Sequence, residues 1–144
     1  MSKAVLCALD ITNDDQDAAV LEMAKKLADL QGAQLDVITV VPDYGMSVVA
    51  GYFKDGHHDK IVAAAHAEME KMVIRVIGAE ANAKVRHVVA TGKAYDEILR
   101  TARVDDAGLI VIGAHKPDFK DYLLGPNAAR VVRHASCSVF VVRS

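Results

Sequence analysis

Leu109-Ile110-Val111-Ile112-Gly113 leads through Ala114-His115-Lys116-Pro117-Asp118-Phe119-Lys120-Asp121-Tyr122-Leu123-Leu124-Gly125 into Pro126-Asn127, and this stretch decides how the chain folds. Four consecutive apolar residues, three of them β-branched, suit a strand covered on both faces, as in a parallel sheet. Gly113 lets the backbone leave that strand at an angle a Cβ would restrict. At the far end, Pro126 favours the first position of a helix, where its missing N–H costs no intrahelical bond. Strand, loop and helix in this order are the first half of a parallel crossover.

The pattern recurs on either side. Residues 4–9 (AVLCAL) are a continuous apolar run ending at Asp10, a first strand. After Thr12-Asn13-Asp14-Asp15, which supplies several N-cap residues, Val20, Leu21, Ala24, Leu27 and Ala28 recur at helical spacing until Gly32 stops the pattern. Residues 34–41 (QLDVITVV) form a second strand closed by Pro42. Residues 43–56 carry Gly45, Gly51 and Gly56 among Tyr44, Met46, Tyr52 and Phe53, fit no period, and read as a long mobile excursion. Ile61, Ala65, Met69, Met72, Val73 and Val76 give residues 58–77 the apolar stripe of a second long helix. A strand at 85–90, a short helix at 96–104, the strand at 109–112, a helix at 127–134 and a last strand at 138–142 complete the order.

Strands and helices thus alternate throughout, and parallel crossovers are right-handed. The expected fold is α/β, a doubly wound, Rossmann-like, five-stranded parallel sheet with helices on both faces, in one domain spanning residues 1–144. Such sheets bind ligands beyond the carboxyl ends of their strands, where strand order reverses. The candidate positions are therefore Asp10, Val40 to Pro42, Thr91-Gly92 and Gly113 onward.

Composition excludes several function classes. A net charge of −2 and a pI near 6.3 provide no basic field for a phosphate backbone, and aromatic residues at 5% offer few stacking platforms, so nucleic acid is not an expected partner. Charged residues are spread along the chain, leaving no apolar stretch of the roughly 18 residues that a membrane span needs. The apolar start is too short for a signal-peptide core and lacks a small-residue cleavage site, which places the expected location in the cytoplasm. Cys7 and Cys137 each lie in a strand-like apolar run, where a reduced thiol packs as a small hydrophobe.

The loop from Gly113 to Gly125 carries the chemistry. Gly125 permits close approach of a ligand to the helix opened by Pro126 and Asn127, whose free N–H groups and positive dipole end suit phosphate oxygens; Lys116 and Lys120 add positive charge. An ordinary strand-to-helix loop punctuated by glycine has the same appearance. Asp10, at a strand's carboxyl end, can accept hydrogen bonds from ribose or an amine, or cap the following turn. His57, His58, Asp59 and His66 lack the spacing of a metal site and read as a solvated helix start. His87 and His134 read as structural, with His134 placed to complement a helix C-terminus. Ser136, Cys137 and Ser138 lack a nucleophile elbow, and no P-loop is present, so no catalytic residue is assigned. The last strand, apolar on both faces, suits a sheet edge that invites a partner strand.

Val5-Leu6-Cys7-Ala8-Leu9-Asp10, Ile38-Thr39-Val40-Val41-Pro42, Gly92, Leu109-Ile110-Val111-Ile112-Gly113-Ala114-His115 with Leu123-Leu124-Gly125, and residues 131–143 (VVRHASCSVFVVR) together resemble the universal stress protein family over essentially the whole chain. The short loop with Pro117-Asp118 and the start Asn127-Ala128-Ala129 are most similar to the family's enterobacterial F and G types. That resemblance implies a Rossmann-like sheet binding ATP or a related nucleotide, ADP or AMP, with or without magnesium. It implies that Asp10 meets the ribose or adenine, that Val40 contacts adenine through its backbone, and that Gly113 and Gly125 frame the phosphates. His115 holds the family's histidine position in the loop, with Lys116, Pro126 and Asn127 beside the phosphates. Three departures stand out: Lys116 occupies the place of the family's second loop glycine, the loop is one residue shorter, and Pro126 replaces a hydroxyl residue, removing a side-chain donor and a backbone N–H. The resemblance also implies a homodimer, or a tetramer built on it, through the last strand. Three functions follow as expectations: a regulatory stress-response protein that binds an adenine nucleotide without being a dedicated enzyme, acting on a protein partner the sequence does not name; an oligomeric interaction module that uses no nucleotide; or, implied by the resemblance alone, slow ATP hydrolysis or self-phosphorylation.

Overall fold

The computed structural model describes residues 3–11, 14–42, 57–114 and 126–143. Five strands, β1 (Ala4–Ala8), β2 (Leu35–Val41), β3 (Arg86–Thr91), β4 (Ala107–Gly113) and β5 (Ser138–Val142), form one parallel sheet in the order β3-β2-β1-β4-β5. Between them run α1 (Asp14–Gln31), α2 (His57–Ile77), α3 (Ala79–Asn82), α4 (Ala94–Val104) and α5 (Pro126–His134). The doubly wound α/β fold expected from the alternation is the fold observed. The excursion at residues 43–56 and the loop at 115–125 lie outside the described residues.

The strand period of two sorts the core into two layers. Val5 and Cys7 of β1, Val37 of β2 and Val111 of β4 face α1 and α2, against Val20, Leu21, Ala24, Met69, Met72 and Val73. Leu6, Ala8, Ile38, Ile110 and Ile112 face α4 and α5, against Ile98, Leu99, Ala102, Ala128 and Val131. Leu6, Leu21, Ile38, Met69 and Ile110 are essentially removed from solvent, each such side chain contributing roughly 1.5–3 kcal/mol by leaving water. Covering on both faces is why β1 and β4 are apolar without alternation.

Gly32 ends α1 with φ +61°, the left-handed cap that lets Ala33 bond back to the Ala28 carbonyl. The short α3 was not foreseen from the sequence. Gly78 at φ +92° breaks α2, and Ala79–Asn82 makes one further turn that shows no apolar period. Helix α4 starts two residues before the expected 96, and β4 runs from 107 to 113 rather than 109 to 112, because Ala107 and Gly113 extend the ladder without extending the apolar run. Helix α5 begins at Pro126, the first helical position that proline favours. Strand β5 pairs only with β4 and lies at the sheet edge, as expected.

Candidate functional site

Strand order reverses between β1 and β4. The chain leaving β1 turns toward α1 on one face, and the helix following β4, α5, lies on the other, so the carboxyl ends of β1 and β4 part around a crevice. A cleft of about 620 Å³ opens there. Its floor is Ala8 at the end of β1 with Leu9 to Ile11 after it, Ile38 to Pro42 at the end of β2, and Ile112 and Gly113 of β4. One wall is α2, through Ile61, Ala64, Ala65 and Glu68; the other is Ala94 and Ile98 of α4 with Pro126, Asn127 and Ala128 at the start of α5.

Ladder bonds continue past the strand ends and hold this rim. The Leu9 N–H donates to the Ile38 carbonyl at 2.8 Å, Gly92 to Val41 at 3.0 Å, and Ala114 to Val142 at 3.0 Å. Beyond Leu9, the Asp10 N–H donates to the Asp17 carboxylate from the first turns of α1. Asp17 is buried, whereas Asp10 is exposed toward the cleft it lines.

Of the residues singled out in the sequence, Asp10, Val40, Gly113, Pro126 and Asn127 come together on this one cleft, from four separate parts of the fold. His115, Lys116 and Gly125 lie outside the described residues. Thr91 and Gly92 are not lining residues; Thr91 Oγ1 instead pairs with His58 Nε2 at 3.1 Å beside the rim. Sequence reasoning missed the α2 wall and Asp17. Ile61 and Ala65 were legible as an apolar stripe but not as belonging to a site, and the acidic residue in the first turns of α1 was the only local sign of Asp17.

The lining is chemically divided. Ile38, Val40, Val41, Pro42, Ile61, Ala64 and Ile98 supply apolar lining, while Asp10, Asp17 and Glu68 bring carboxylate acceptors to it. Glu68 is exposed and paired with Lys71 at 3.4 Å. At the α5 end, Pro126 carries no N–H, leaving the first-turn donors to Asn127 and Ala128. No lysine or arginine among the described residues lines the cleft.

The remaining titratable groups sit elsewhere. His87 Nε2 is 2.6 Å from Asn82 Oδ1, and its ring lies 5.7 Å from that of His66. Among the described residues, no three histidine, cysteine or acidic groups are arranged to hold a metal ion. Both cysteines are free; burial, then the charge of Asp17, pushes the Cys7 thiol well above its ordinary pKa. His134 lies in the last turn of α5, where it complements the dipole when protonated. No helix among the described residues is long and apolar enough to cross a membrane.

A sequence model described as the universal stress protein family matches residues 1–143. The chain belongs to the universal stress protein family. Within the family, it is 38% identical over 60 residues to universal stress protein G of Shigella flexneri, a match spanning 42% of each chain. The chain is thus matched over about two fifths of that curated relative's length. Solved universal stress proteins share its fold at low identity. UspA of Lactobacillus plantarum superposes with a TM-score of 0.71 at 22% identity, covering 98% of this chain and 97% of that one. The Archaeoglobus fulgidus protein in complex with dAMP gives 0.60 at 22%, covering 96% of each. A universal stress protein in complex with cAMP gives 0.66 at 16%, covering 99% and 97%.

Proposed function

We propose that this universal stress protein binds ATP or a related adenine nucleotide, ADP or AMP, in the cleft between β1 and β4, and acts as a regulatory binding protein of the stress response rather than as a dedicated enzyme. The observation that carries the reading is the convergence of Asp10, Val40, Gly113, Pro126 and Asn127 on one cleft at the switch point of the sheet. The two relatives in complex with dAMP and cAMP support the adenine assignment. In this reading the apolar lining takes the base beside the Val40 backbone, Asp10 takes the ribose or the base, and Gly113, His115, Lys116, Gly125 and the start of α5 surround the phosphates, with magnesium where the nucleotide is ATP. The protein works in the cytoplasm as one nucleotide-binding domain and as a homodimer through β5, and nucleotide occupancy alters the surface offered to a protein partner. Calorimetric titration with ATP and magnesium, ADP and AMP tests this: saturable heat for at least one supports it, and no heat or thermal shift at millimolar nucleotide removes it.

A second reading, an oligomeric module without nucleotide, rests on Pro126, which takes one N–H from the phosphate end, and on the exposed edge strand β5. Mass spectrometry of the denatured, freshly purified protein separates the two. A stoichiometric adenine nucleotide excludes the second reading.

A further inference from the structure

Asp10 stands one residue beyond the last ladder bond of β1, that of Leu9 to Ile38, where a strand end ordinarily loses its backbone partners. Its N–H does not turn to solvent. It donates to the carboxylate of Asp17, a side chain only 2% exposed on α1, which also borders the cleft. Helix α1 is itself anchored on the sheet by Val20, Leu21 and Ala24, all at or below 1% exposure. A chain of contacts thus runs from the packed core through α1 and the Asp17 carboxylate to the backbone of Asp10, a residue that lines the cleft. The negative charge sits in the first turns of α1, where the helix dipole favours it, and a hydrogen bond to a charged acceptor is stronger than a neutral one.

We propose that Asp17 is the positioning residue of the cleft, holding the Asp10 backbone through its N–H so that the Asp10 carboxylate faces the bound nucleoside. This rests on the reading of the cleft as an adenine-nucleotide site. Leu9 stays fixed by its bond to Ile38 and its place in the core, so removal of the acceptor acts on Asp10 alone: its N–H loses this partner and the direction of its carboxylate is less tightly set. Asparagine keeps a side-chain oxygen that accepts the same N–H, so the role needs the acceptor rather than the charge.

The test is calorimetric titration with AMP of the wild type, Asp17→Ala, Asp17→Asn, Asp10→Ala and the Asp10→Ala/Asp17→Ala pair, with the Asp10 amide proton followed by NMR without ligand. The expected result is an AMP affinity about tenfold weaker for Asp17→Ala, near wild type for Asp17→Asn, and no weaker for the pair than for Asp10→Ala alone. The Asp10 amide resonance should shift in Asp17→Ala and hold in Asp17→Asn. Two additive losses overturn the positioning role, because a general loosening of the fold multiplies with any other defect. Loss of affinity in Asp17→Asn equal to that of Asp10→Ala overturns it as well, and that arm stands even if the alanine variant does not fold. Wild-type AMP binding with an unaffected Asp17→Ala overturns the positioning role alone. No AMP, ADP or ATP binding by the wild type overturns the cleft reading and this role with it.

Discussion

Asp36, the second residue of β2, and Asp105, the residue that follows α4, bring their buried carboxyl groups together, and one oxygen of each, Asp36 Oδ1 and Asp105 Oδ2, accepts no hydrogen bond from any N–H or hydroxyl among the described residues. Both side chains are 2% exposed, and Arg86, the register partner of Asp36 on β3, reaches Asp105 at 3.4 Å. Two adjacent buried carboxyls repel when both are ionised, so one keeps its proton. Burial foremost, then the hydrogen bond and charge of Asp105, push Asp36 up to about 7, against the opposing pull of Arg86 and Gln34.

A protonated Asp36 makes stability depend on pH. Its folded pKa lies above the unfolded value near 3.9, so the contribution is complete below that value and is lost as pH rises through about 7. Asp36→Asn donates to Asp105 at every pH and removes the loss. We expect the variant to be more stable than wild type by roughly 1–3 kcal/mol near pH 8, with the difference vanishing near pH 4. Urea unfolding at the two pH values measures it, and an equal effect at both contradicts the shared proton.

His87 gives the opposite slope at lower pH. Burial pushes its pKa below the ordinary 6.5, with Glu70 pulling it up and His66 pushing it further down. A depressed pKa means stability present above the unfolded value and lost as pH falls through the folded one. His87→Gln, which stays neutral, should lose about 1 kcal/mol at pH 7.5 with the Asn82 contact disturbed and regain most of that difference by pH 5. Thermal melts across that range check it; parallel curves for the two proteins count against the assignment.

Ala64 lines the cleft from α2 while remaining exposed, so a larger side chain can stand there without entering the core. Ala64→Phe is expected to weaken adenine-nucleotide binding by at least about tenfold and to change unfolding free energy by less than about 0.5 kcal/mol. Titration paired with denaturation reads both quantities. Unchanged affinity would place the ligand elsewhere.

At the sheet edge, Phe140 of β5 is 38% exposed, and its neighbours Val139, Val141 and Val142 are only half-buried. Phe140→Lys should shift a dimer toward monomer with a dimer Kd raised about tenfold or more, because a lysine on an edge strand opposes strand addition. Sedimentation velocity over a concentration series is the measurement. A dimer of unaltered strength would exclude β5 as the contact.

The fold was legible because both of its signals are local. Val5 to Leu9 and Leu109 to Ile112 are unbroken apolar runs, and the stripes of α1 and α2 repeat at 3.6 residues, so element type and order followed from neighbours a few positions apart. The family-like residues Asp10, Val40 and Gly113 lie together on the cleft at the carboxyl ends of the strands. Helix α3 and the Asp36–Asp105 pair were not legible, since a four-residue turn has no period and the paired carboxyls are 69 positions apart, joined only when α4 packs back beside β2.

Sequence by itself therefore determined the alternation of strands and helices, the two-sided burial of β1 and β4, the position of Pro126 at a helix start and membership of a family. Only the tertiary structure decided that Asp10, Val40, Gly113, Pro126 and Asn127 share one cleft, that α2 supplies its wall, and that Asp17 holds the backbone of Asp10. The reason is physical. Periodicity records which face of an element leaves water, but the strand order β3-β2-β1-β4-β5, and with it the crevice, is set by how those faces pack against one another across the whole chain.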